Sequence, residues 1–127
     1  MRIEHIAIWT MDLERSRSFY EEYFGGAAGA KYHNPQTGFE SYFIVFDSGA
    51  RLEIMRAPGL DPERSGERRI GYSHLAFAVG SEDQVRQLTE RLRAEGYTVV
   101  SEPRRTGDGY YESCVLDPDG NRVEITA

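Results

Sequence analysis

Cysteine is all but missing from this chain: one residue in 127, Cys114. A lone thiol forms no internal disulfide and supplies no thiolate cluster for a structural zinc, which points to a reducing, cytoplasmic setting. Within "ESCVLD", Cys114 reads as a small core residue. A surplus of positive charge is missing too. Fifteen Lys and Arg stand against 21 Asp and Glu, giving a net charge of −6 and a pI near 5.1. Binding to a phosphate backbone needs the opposite balance, so nucleic acid is not an expected partner. The charge gives no attraction to an anionic membrane either. Long apolar runs are absent, with none near the roughly 20 residues that a spanning helix needs. The N-terminal "MRIEHIAIW" carries no leader pattern and runs straight into a strand. What is left is one compact domain or two tightly paired half-domains. A chain of this length can bury roughly two-thirds of its unfolded surface.

What is present is a repeat. "IEHIAIW" near the start is echoed by "YSHLAFAV", and "RLEIM" by "RVEIT" at the end. His5 and His74 are 69 residues apart, and Glu53 and Glu124 are 71 apart. The first half predicts a strand over about 3–9 and a helix over about 12–24. Asp12 serves as N-cap, and Leu13, Ser16, Phe19, Tyr20, Tyr23 and Phe24 form one apolar face, with Gly25 and Gly26 as the stop. Extended segments follow at about 29–33, 40–47 and 50–56. The second half repeats the order. A strand spans about 72–79, and Ser81 caps a helix whose face is Val85, Leu88 and Leu92, with Gly96 as terminator. A strand over about 97–102 leads to Pro103, and a hairpin of 110–117 and 121–126 turns on "DPDGN". Each half is therefore βαβββ. Module one covers about 1–56 and module two about 71–127, within a single domain over 1–127. The polar stretch "APGLDPERSGERRI", about 57–70, reads as a linker.

Strand alternation assigns the faces. Ile6 and Ile8 oppose His5, Ala7 and Trp9. Leu75, Phe77 and Val79 oppose His74, Ala76 and Ala78. Leu52 and Ile54 oppose Arg51, Glu53 and Met55, and Val123 and Ile125 oppose Arg122, Glu124 and Thr126. The apolar faces are expected against the helices, which leaves His5, Glu53, His74 and Glu124 together on the other side. One strand histidine alone is commonly structural, and a glutamate near a strand end is usually a solvated charge, with Arg51 or Arg122 as an ion-pair partner. Four such residues at matched positions of a repeat instead form a ligand set sufficient for a divalent metal. Imidazole and carboxylate suit Zn, Ni, Co, Mn or Fe(II).

The aromatic residues Trp9, Tyr32, Tyr42, Tyr72, Tyr110 and Tyr111 are candidates for a pocket wall or for packing within a twisted sheet. Trp9 has the strongest pocket case because it shares a face with His5. Met55 and Tyr72 are further pocket candidates. His33, in "KYHNPQTG", reads as a surface loop residue.

The two histidine strands, "DLERSRSFYEEYFG" after the first and "DPDGNRVEI" at the end, resemble the vicinal oxygen chelate superfamily. This is the glyoxalase/bleomycin-resistance/extradiol dioxygenase family, and the resemblance covers essentially the whole chain. It implies an α+β fold in which two βαβββ modules form a curved, cup-like eight-stranded mixed sheet with helices on the outer face. It also implies metal ligands on the first and fourth strands of each module: His5, Glu53, His74 and Glu124. His5, His74 and Glu124 would be shared with dioxygenases and fosfomycin-type thiol transferases. Methylmalonyl-CoA epimerases resemble the pattern with an amide at the second position, and metal-free bleomycin binders usually lack the full set. The carboxylate at Glu53 makes the chain most similar to the glyoxalase I branch.

The resemblance further implies one divalent metal, Zn or Ni foremost, and a small substrate that chelates it through two adjacent oxygens. Glu124 would move the proton, with Glu53 as its symmetry mate and possible second base. A homodimer is expected, with the site completed within one chain or across two. Two departures bear on substrate. Trp9 stands four residues after the first histidine, where glutathione-using glyoxalases tend to place an Arg for a substrate carboxylate. After Glu53 the run is "EIMRAP", without the Asn that family tends to have, and Arg56 does not replace it cleanly.

Overall fold

Alternation at period two forms the strands of this protein, and apolar residues at helical spacing form its two helices. The computed structural model describes residues 3–47, 49–62, 72–107 and 109–127. The chain divides into two compact units, Met1–Arg64 and Ser65–Ala127. The first contains β1 (His5–Trp9), α1 (Leu13–Phe24), β2 (Ala27–Ala28), β3 (Tyr32–His33), β4 (Glu40–Val45) and β5 (Arg51–Arg56). The second contains β6 (His74–Ala78), α2 (Glu82–Ala94), β7 (Val99–Arg105), β8 (Tyr111–Leu116) and β9 (Arg122–Thr126). The expected linker over about 57–70 lies for the most part outside the described residues. No described helix is long and apolar enough to cross a membrane.

Each unit builds one mixed sheet. The strand order is β1-β5-β4-β2 in the first, with β3 also on β4, and β6-β9-β8-β7 in the second. In both units the first and last strands pair in parallel and the rest antiparallel. The α+β class and the order of elements follow the sequence expectation. Two details differ. In place of the one strand expected over about 29–33 there are two of two residues each, Ala27–Ala28 and Tyr32–His33, which makes nine strands among the described residues rather than eight. Strand β7 runs through Pro103 to Arg105, with register shifts on either side of Ser101. β7 ends the strand order of its sheet, where a residue without an N–H is tolerated beside an irregularity.

Local chemistry sets the helix ends. The Asp12 carboxylate accepts the Arg15 N–H at 3.0 Å. Gly25 closes α1 at φ 67°, a left-handed conformation that suits glycine. Gly26 is needed for another reason: a Cβ there would collide with Ile44 Cγ2. Ser81 Oγ accepts the Gln84 N–H at 3.2 Å. Acidic Glu82 and Asp83 in the first turn of α2, with Arg91 and Arg93 in the last, complement the helix dipole.

The helix-facing side of each sheet is the core. Leu13, Phe19 and Tyr20 of α1 are buried, as are Ile44, Leu52 and Ile54 of the sheet. Val85 and Leu92 of α2 are buried in the second unit, with Val115, Val123 and Ile125. Burying each such side chain contributes about 1.5–3 kcal/mol. A polar pair joins α2 to its sheet: Thr89 Oγ1 donates to Val85 O at 2.6 Å and lies 2.7 Å from Ser113 Oγ. The "DPDGN" turn is likewise structural. Buried Asp117 accepts the N–H groups of Asp119 and Asn121 at 2.9 and 2.8 Å. Gly120 takes φ 84° there.

Candidate functional site

Parallel pairing places the candidate residues on one face of each sheet, because neighbours across a ladder point the same way. In the first unit His5 lies opposite Arg51, Ala7 opposite Glu53, and Trp9 opposite Met55. In the second unit His74 lies opposite Arg122, Ala76 opposite Glu124, and Ala78 opposite Thr126. The step from imidazole to carboxylate is the same in both. Alternation leaves Leu52, Ile54, Val123 and Ile125 buried on the helix side. The imidazole–carboxylate face stays open.

The two half-sites differ in their contacts. In the second unit His74 Nε2 lies 3.1 Å from Glu124 Oε2. Burial pushes the Glu124 carboxyl above its ordinary range, and nearby Glu112 adds to this; His74, Arg122 and Arg104 oppose it. Cys114 lies opposite Glu124 across β8 and β9, where Phe43 lies opposite Glu53 in the first unit. Burial pushes the Cys114 thiol up. It is a free, buried residue, as the sequence suggested.

In the first unit His5 is held from the side. Its Nδ1 lies 2.5 Å from Glu4 Oε2, and its ring meets the edge of Phe43 with centroids 5.3 Å apart. Arg51 bonds the other Glu4 oxygen and covers the Phe43 ring at 4.1 Å. The hydrogen bond from His5 holds the Glu4 carboxyl below its ordinary value, with Arg51 acting the same way. An ionised carboxylate only accepts, so Nδ1 carries the proton. The tautomer with its proton on Nδ1 has its lone pair on Nε2, the arrangement that suits a metal ligand. Arg51 thus serves Glu4 and Phe43.

The sequence did not single out Glu4, because Ser73 takes its place before His74 and the repeat has nothing to match. Among the described residues no three His, Cys, Asp or Glu side chains form a metal-holding group. The first unit brings one imidazole and one carboxylate to one face, and the second brings His74 and Glu124 with Glu112 on the same face of the neighbouring strand. Tyr42 and Tyr111 face the helices instead. The Tyr42 hydroxyl donates to Glu14 Oε1 at 2.9 Å, and Arg86 donates to the Tyr111 hydroxyl at 2.8 Å. Tyr72 lies ahead of β6 and is 94% exposed. His33 sits in β3 rather than a loop, exposed, 3.5 Å from Glu40. A groove of about 290 Å³ along α2 is lined by Val79, Gln84, Gln87, Leu88 and Arg91, none of them a candidate site residue.

Residues 2–125 match the family model of the Glyoxalase/Bleomycin resistance protein/Dioxygenase superfamily. The chain belongs to this superfamily. Within it, the chain is 33% identical to the uncharacterised protein YqjT of Bacillus subtilis, over 98% of both chains. It is 29% identical to the lactoylglutathione lyase of Haemophilus influenzae, over 98% of this chain and 91% of that protein. It is 28% identical to the glutathione transferase FosA of Serratia marcescens, over 97% of this chain and 78% of that one. Among solved structures, the trypanothione-dependent glyoxalase I of Leishmania major superposes with a TM-score of 0.77 at 26% identity, over 99% and 86% of the two chains. A superfamily domain from Frankia shares the fold at TM-score 0.84, 21% identity, over 99% and 96%. This glyoxalase-superfamily chain therefore has relatives named for more than one reaction.

Proposed function

We propose that the protein is a metal-dependent lyase or isomerase of the glyoxalase I kind. His5, Glu53, His74 and Glu124 would hold one divalent ion, Zn or Ni foremost, with Mn, Co and Fe(II) as alternatives. One observation carries the reading: the imidazole–carboxylate step recurs at the same register in both parallel strand pairs. The donors suit such an ion. His5 has Nδ1 occupied by Glu4, and His74 and Glu124 already stand together.

When bound, the ion would polarise two adjacent substrate oxygens and acidify the neighbouring C–H. The chain's own part is to move that proton. Glu124 takes it from one carbon and returns it to the next. Its partial burial raises its basicity toward what a general base needs. Glu53 is its symmetry mate. A homodimer in a cytoplasmic setting completes the proposal, with the half-sites joined within one chain or between two.

The similarity to FosA supports a second reading on the same centre, thiol transfer to a small substrate. Metal-loading analysis tests both readings. One equivalent of divalent ion per site is expected in the parent, and loss of it in His5→Ala and His74→Ala. Full retention in both variants would reject the ligand set, and a parent without bound metal would leave a metal-free binding protein. Turnover of the methylglyoxal–glutathione hemithioacetal then separates the first reading from the second.

A further inference from the structure

Beside the carboxylate of the first unit lies a row of side chains, apolar but for one buried serine, that the chemistry above does not use. Trp9 lies opposite Met55, Met55 opposite Ser41, and Ser41 opposite Tyr32. The four share the face of Glu53 and cross the sheet at one level. Phe39 closes the row, its ring 6.2 Å from Trp9 at 89° and 6.0 Å from Tyr32 at 55°. Ser41 is buried beneath, while Trp9 and Tyr32 remain 49% and 54% exposed. Met55 stands two residues from Glu53 along β5, about 7 Å. The row is thus an aromatic ledge that starts one step from a proposed metal ligand.

Four described cations of the first unit are engaged by carboxylates. Arg51 is bonded to Glu4, Lys31 and Arg56 to Glu40, and Arg17 to Glu14 and Glu21. Of these, Arg17, Lys31 and Arg56 pair with carboxylates on the helix side. The ledge offers ring edges and a thioether, which favour flat apolar groups.

We propose that this ledge is the specificity subsite. The substrate that chelates through two adjacent oxygens carries an aromatic group that lies on Trp9, Phe39, Tyr32 and Met55, and is not anchored by a carboxylate. This inference rests on the metal-dependent reading above. It makes the protein an enzyme for aryl-bearing substrates of that chemistry.

The chain holds a single tryptophan, so Trp9 emission reports on the ledge alone. The test titrates the full, zinc-loaded protein with acetohydroxamate, benzohydroxamate and 4-carboxybenzohydroxamate. All three chelate through the same pair of oxygens. Benzohydroxamate is expected to bind at least about tenfold tighter than acetohydroxamate and to quench Trp9, and the added carboxylate is expected to weaken it. Phe39→Ala is expected to cut the preference to about threefold or less. Equal affinities, or tighter binding of the carboxylated probe, would overturn the inference while leaving the metal reading intact. So would a Trp9 shielded from acrylamide in a dimer, which would make the ledge a contact between copies. Failure of zinc to bind would reject the metal reading and the inference together. The three-probe comparison on the parent decides the matter even if Phe39→Ala fails to fold.

Discussion

His74 Nε2 stands 3.1 Å from Glu124 Oε2, on strands whose other faces are half-buried in β6 and buried in β9. The strand scaffold fixes where both groups project. The contact itself couples a neutral or protonated imidazole to a carboxylate that burial has made more basic.

Glu124→Gln is expected to lower turnover of the hemithioacetal by at least about 10²-fold while keeping most of the bound metal. An amide oxygen can still ligate, but it takes no proton. Steady-state kinetics alongside metal analysis checks this. Normal turnover would assign the base elsewhere, with Glu53 the next candidate.

The same substitution makes a stability prediction for metal-free protein. Burial raises the Glu124 pKa above its ordinary value of 4.5. A raised folded-state value contributes stability that is full below the unfolded pKa and lost as pH rises through the folded one. At neutral pH the ionised Glu124 therefore destabilises the fold, and Gln removes that cost. The thermal midpoint of Glu124→Gln should exceed the parent's at pH 7 and converge with it near pH 4. An equal gap at both pH values would mean that ionisation is not the cause.

Glu4→Gln is expected to weaken metal binding by about 10- to 100-fold, as loss of a carboxylate that orients a ligating histidine does. Arg51→Ala, which frees Glu4, should act in the same direction with a smaller effect. Calorimetric titration measures both. Nitrogen NMR of the metal-free protein gives an independent reading: His5 should hold its proton on Nδ1 in the parent and sample both tautomers in Glu4→Gln. Unchanged spectra and affinity would reduce the Glu4 contact to a surface ion pair.

Thr89→Val leaves the buried Ser113 hydroxyl without its partner at 2.7 Å. A cost of about 1–3 kcal/mol is expected in urea unfolding. Adding Ser113→Ala should recover part of it, since both polar groups are then gone. Strict additivity of the two losses would show the hydroxyls to be energetically independent.

Much of the fold is legible in the sequence, because burial on one face writes a period into the chain. Leu52 and Ile54 alternate with Glu53 and Met55, and the structure buries the first pair. Leu13, Ser16, Phe19 and Tyr20 recur at helical spacing and are the buried residues of α1. Thr89 carries no apolar signal, and its burial depends on a partner 24 residues away. Pro103 reads as a strand end, although an edge position accommodates proline and β7 runs on to Arg105. In the site, the face shared by His5 and Glu53 was legible from alternation. The roles of Glu4, Phe43 and Phe39 were not, since each arises from contacts between segments that no local pattern encodes.

The sequence by itself determined the repeat, the class of each element, and which side chains share a face. These follow from periods of 2 and 3.6 and from the positions of Gly and Asp. Only the tertiary structure decided the strand register, because hydrogen bonding between strands distant in the chain sets it. Register turned the 69- and 71-residue spacings into one imidazole–carboxylate step made twice. It also set Trp9 beside Met55 and in line with Tyr32, which is why an aromatic ledge exists where the sequence showed only scattered rings.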